Sequence, residues 1–101
     1  MTKIKITVVR VFSPEDVFGH EYRGLDGKVA QKCHLEEGQS WDTNGWTMPD
    51  DFCSWAWDDL RKDRYLLSFG GDLPDTDDGV VFVSCSDGKR PVVFKLERLE
   101  D

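Results

Sequence analysis

The sequence predicts an α+β fold: a small, mostly antiparallel four-stranded sheet with one long helix packed on a face and a short helix after strand 1. Three observations predict it. Residues 3–8 alternate lysine or threonine with Ile4, Ile6 and Val8, the period of a half-buried strand. Residues 51–68 place Phe52, Cys53, Ala56, Trp57, Leu60 and Leu67 on one side at helical spacing. Two apolar runs, 80–85 and 92–97, flank an Asp87-Gly88 reversal and read as a hairpin.

Each element has its own signals. Phe12 continues the parity of Ile4, Ile6 and Val8. Ser13-Pro14-Glu15-Asp16 then reads as a helix start: a hydroxyl that can cap, a proline suited to the first turn, and two acids at the positive end of the dipole. That short helix is expected to end between Tyr22 and Gly27. Residues 24–48 carry the weakest signals; Asn44-Gly45, between Trp41 and Trp46, suggests a small hairpin. The long helix is expected to begin near Asp50 or Asp51 and to stop at Gly70-Gly71. In the last hairpin, Pro91 suits the start of the returning strand. Val9, Val11, Val81, Val83 and Val93 have the wrong parity for the first sheet face, so a homodimer or the 24–48 segment is expected to cover them.

Length and charge bound the function. The 101 residues suffice for a single domain, 1–101, with one core. Twenty acids against thirteen bases give a formal charge of -7, with the bases scattered, which argues against a nucleic-acid partner. The apolar runs are too short to cross a bilayer and the N-terminus lacks a signal peptide's apolar stretch, so a cytoplasmic protein without a membrane partner is expected. Cys33, Cys53 and Cys85, odd in number and widely spaced, read as reduced thiols.

The segment "FCSWAW" at 52–57 is the richest candidate site. Free cysteine is among the most buried residue types, so Cys53 reads first as a core thiol. Its place in the first turn of the expected helix favours a thiolate, while Asp50, Asp51 and Asp58 oppose one, leaving Cys53 a weak catalytic candidate. Cys33, Cys53 and Cys85 with His34 are weak metal candidates for zinc: they offer suitable atoms but no CxxC or CxxH pair. No cofactor is otherwise expected. All four tryptophans fall between 41 and 57; those not needed to fill the core could form a pocket for a flat or cationic ligand. Arg90, beside Lys89 at the hairpin tip, could hold an anionic group. Asp75-Thr76-Asp77-Asp78-Gly79 lacks both the alternation and the later glutamate of a calcium loop.

"FCSWAW", then Phe69-Gly70-Gly71, then "DGKRPVVFKLERLE" at 87–100, together resemble a family of small uncharacterised prokaryotic proteins. Its pattern is a Cys-x-Trp-Ala-Trp helix followed by an Asp-Gly-x-Arg-Pro-Val-Val-Phe-Lys hairpin. This chain has Cys33-His34 and Ser84-Cys85 where the family pattern has Cys-Pro and Cys-Cys, which argues against a shared four-cysteine metal site. The resemblance implies a common fold unit and no activity.

The functional expectation is a small binding or interaction module for an unknown small ligand or protein. Its pocket, at the start of the long helix, would use Trp41, Trp46, Cys53, Trp55 and Arg90. A cysteine-ligated metal-binding protein and a thiol enzyme centred on Cys53 are the alternatives. No nucleophile elbow, phosphate loop or metalloprotease helix is present, so the balance is against an enzyme.

Overall fold

The computed structural model describes residues 3–99. In chain order these form β1 (Lys3–Val11), α1 (Pro14–Phe18), β2 (Ser40–Thr43), α2 (Ser54–Asp59), α3 (Arg61–Ser68), β3 (Val80–Ser84) and β4 (Val92–Leu99). The strands make one open sheet in the order β2-β1-β4-β3, antiparallel throughout. Ile4, Ile6 and Val8 of β1 and Val92, Phe94 and Leu96 of β4 point to one face, where Ala56, Leu60 and Leu67 cover them and all nine are buried.

The expected long helix is two short ones. Its start lies later than Asp50 or Asp51, because Asp51 adopts a left-handed φ of 65° and α2 begins only after the N-cap Cys53. The break at Leu60 has a specific cause. In a continuous helix the Trp57 carbonyl would accept the Arg61 N–H. Here Arg64 Nη2 donates to that carbonyl at 3.0 Å, and Arg64 Nη1 donates to Gly45 O at 2.7 Å. A side chain inserted into the ladder turns the axis. At the other end the expected glycine stop is present in full: Gly70, at φ 82°, donates to Leu67 O, and Gly71 donates to Leu66 O. Both bonds of a Schellman cap are thus made.

Strand β1 carries a bulge between Val8 and Arg10, so Val8 opposes Phe94 while Arg10 opposes Val93 and Val11 opposes Val92. The inserted residue reverses the parity, turning Val11 rather than Phe12 towards the core. Val81 and Val83 also face the helices, opposite Leu96 and Phe94. Three of the five valines expected to need separate cover are therefore core residues. The outer face is mostly polar: Lys5 lies between Asp42 and Glu97, and Lys95 pairs with Glu97 at 3.6 Å. An antiparallel sheet with one solvated face requires no second layer.

Two further expectations change. Helix α1 has its capping box, with Ser13 Oγ accepting from Asp16 N and Asp16 Oδ2 accepting from Ser13 N, but it ends at Phe18 with Gly19 left-handed. Asn44-Gly45 does not reverse a hairpin: β2 pairs with β1, and the turn leads into a loop pinned by Arg64. Residues 22–30 form a small two-stranded arm instead, through the Arg23–Val29 bridge and the Ala30-to-Tyr22 hydrogen bond.

Candidate functional site

Three separate stretches of chain meet at the Cys53 end of α2. The coil leaving the arm brings Cys33 and Leu35. The start of α2 brings Cys53, Trp55 and Ala56. The β3–β4 hairpin brings Cys85, Asp87, Arg90, Val92 and Phe94. Together they line a cavity of about 120 Å³. Its floor is the buried trio Ala56, Val92 and Phe94, with Leu35 as a buried wall; the three thiols, all free and half-buried, complete the apolar lining.

Local hydrogen bonds set each wall. Cys85 N donates to Val92 O, and Val92 N donates back to Cys85 Sγ at 3.3 Å, which fixes that thiol at the strand end. The hairpin turn is tied by Asp87, whose Oδ1 accepts from Lys89 N and whose Oδ2 pairs with Arg90 Nε at 3.1 Å. Partial burial pushes the Asp87 carboxyl up, but the Lys89 N–H and the Arg90 guanidinium outweigh it and hold the pKa below its ordinary value. Arg90 Nη1 donates to Gln31 O at 3.1 Å, clamping the coil that carries Cys33 against the hairpin.

Trp55 forms the outer rim. It is 63% exposed, yet its indole is held: Nε1 donates to Ser86 Oγ at 2.7 Å, and Ser86 N and Oγ both donate to Asp59 Oδ2. Neither Ser86 nor Asp59 carries a sequence signal for this role. They are 27 residues apart, and only the fold makes them neighbours.

Of the residues expected to bind ligand, Cys53, Trp55 and Arg90 converge here; Trp41 and Trp46 do not. Trp41 packs edge-on against Phe52 at 4.7 Å, and Trp46 packs against Tyr65 and Phe69 at 4.6 and 5.6 Å on the far part of α3. Of the metal candidates, the three thiols share the cavity while His34 lies in the neighbouring surface grooves, its Nδ1 4.0 Å from Cys33 Sγ. Among the described residues no three His, Cys, Asp or Glu side chains are grouped so as to hold a metal ion. The charged residues lining the cavity are Asp87 and Arg90, already paired with each other, so the lining offers Cys53 no histidine as a base.

Compared with known proteins, the chain matches no family model, no curated protein and no solved structure. No described helix is long and apolar enough to cross a membrane.

Arrangement and chemistry together define what the cavity can do. Its soft, apolar walls favour a compact apolar group by removing that group's surface from water. The Trp55 ring offers a flat face at the mouth, and the Arg90–Asp87 pair a polar edge.

Proposed function

We propose that the protein is a small binding module whose thiol-lined cavity takes one compact apolar group, from a small ligand or a partner's side chain. The single observation behind this reading is the convergence of Cys33, Cys53, Cys85 and Trp55 on one apolar space of about 120 Å³. An apolar cavity of about 150 Å³ accommodates a benzene ring, so the occupant is of the size of a small ring or a branched aliphatic chain. Trp55 bears on the same point: an exposed indole fixed by hydrogen bonds makes a low-entropy contact surface.

The test is a titration of the full chain with benzene and with isobutyl- and isopentyl-bearing probes, followed by amide shifts and Trp55 fluorescence. Saturable shifts at Leu35, Cys53, Ala56 and Cys85 are expected, and Ala56→Leu, which fills the floor, abolishes them while a thermal melt shows it folded. The absence of saturable shifts with every probe, or shifts centred on Trp41 or Trp46 instead, overturns the reading.

A further inference from the structure

The free edge of β3 makes a second site, independent of the cavity. In the β3–β4 ladder, Gly79 O accepts from Arg98 N and Cys85 N donates to Val92 O. Backbone groups alternate in direction along an antiparallel strand. The odd residues 79–85 therefore turn their amides and carbonyls towards β4, and Val80, Phe82 and Ser84 turn theirs away. Val80 N is satisfied by Asp77 O at 3.1 Å. The amides and carbonyls of Phe82 and Ser84 have no other protein partner among the described residues.

Sheets ordinarily protect such an edge with a lysine, a proline, a bulge or a very short strand. The edge strand β2 has four residues and carries Asp42. Strand β3 has no lysine, proline or bulge: Val80-Val81-Phe82-Val83-Ser84 is regular and uncharged, apolar up to Ser84, and Phe82 is 55% exposed on the outer face.

We propose that this edge pairs antiparallel with the β3 edge of a second copy of the chain, joining two four-stranded sheets into one of eight. Charge separates the two directions in which a second copy can pair. The N-terminal end of β3 follows Asp75, Asp77 and Asp78; its C-terminal end precedes a tip bearing Lys89 and the Asp87–Arg90 pair. A parallel pair would set acid loop beside acid loop. An antiparallel pair centred on Phe82 keeps the two acid loops apart, sets each beside the other copy's tip with its Lys89 and its paired Asp87, and opposes Phe82 to Phe82, an aromatic cross-strand pair. In that register the two Phe82 residues exchange both backbone bonds, and each Ser84 N–H reaches the other copy's Val80 carbonyl.

Sedimentation equilibrium of the full chain over a concentration series tests it, together with amide exchange at Phe82 and Ser84. A monomer–dimer equilibrium is expected, with both amides exchanging more slowly as concentration rises. Ser84→Pro removes an outward-facing N–H together with the exposed Ser84 Oγ bond to Cys85 O, for which Ser84→Ala is the control. Phe82→Glu is matched by Lys95 within the chain but repelled by its copy across the axis. Ser84→Pro and Phe82→Glu each weaken dimerisation about tenfold or more. A chain that stays monomeric at millimolar concentration overturns the proposal, as does a dimer unaffected by both variants. Protection of Phe82 and Ser84 only on adding a foreign apolar strand peptide also overturns it, in favour of a different partner.

Discussion

Arg64 ties the turn after β2 to both halves of the broken helix. It is buried, its guanidinium carbon lies 3.6 Å from the Trp57 ring centre, and its two terminal nitrogens satisfy the carbonyls of Gly45 and Trp57. Arg64→Ala strands both carbonyls and removes the stacking, so a loss of about 2–4 kcal/mol is expected in urea denaturation. Arg64→Lys recovers only part of this, because an ammonium lacks the planar fork that reaches both acceptors. Asp72 is a second case. The Gly79 N–H and then the Arg98 guanidinium hold its carboxyl below the ordinary value of 3.8. A carboxylate with a depressed folded pKa contributes stability above its unfolded value, and that contribution is lost as pH falls through the folded one. Asp72→Asn is therefore less stable than the parent at neutral pH, and the difference closes as acid is added below pH 3.8. Urea midpoints of the two proteins across that range check it.

At the scale of elements, the turn after β2 shows how closely loop and helix are fitted. Gly45 has φ 86°, and a Cβ placed there would collide with Ser68 Oγ and lie 3.1 Å from Ile4 Cδ1. Gly45→Ala combines backbone strain with a clash at the α3–β1 junction, and a loss of about 1–3 kcal/mol is expected by thermal melt. Gly88→Ala, with open space around it and no left-handed backbone, is the control that changes little. The elements legible in the sequence were those fixed by local chemistry: the alternation of β1, the Ser13 capping box, the Gly70-Gly71 stop and the Asp87-Gly88 reversal. What escaped it was set by tertiary contact. No periodicity reveals that Arg64 takes the Trp57 carbonyl and divides the helix, or that one extra residue at Val9 reverses the faces of Val11 and Phe12. The candidate site divides the same way. Cys53, Trp55 and Arg90 stand beside recognisable helix and turn signals, whereas Leu35, Ser86 and Asp59 join the site only because distant segments are stapled together.

The whole molecule is longer than its chain length requires. Its radius of gyration is 15.0 Å over extents of 49 × 30 × 21 Å, against about 13 Å for a compact chain of 100 residues. The 22–30 arm is its most open segment by these side chains: Leu25 at its tip is wholly exposed, and the Arg23 and Lys28 side chains are open to solvent. Limited trypsin digestion is expected to cut first at Arg23 and Lys28 while Arg64 and Arg98, locked in the core contacts, resist. Mass mapping of early fragments checks it; first cuts at Arg64 or Arg98 would contradict the packing of α3. The same arm leads into the coil that Arg90 clamps beside the cavity.

Nuclear Overhauser contacts in labelled full-length protein test the meeting of the three thiols most directly. Side-chain protons of Cys33, Cys53 and Cys85 are expected to share neighbours, the Leu35 methyls, the Ala56 methyl and the Phe94 ring. Three cysteines with no neighbour in common would place them on separate surfaces and remove the cavity from the account.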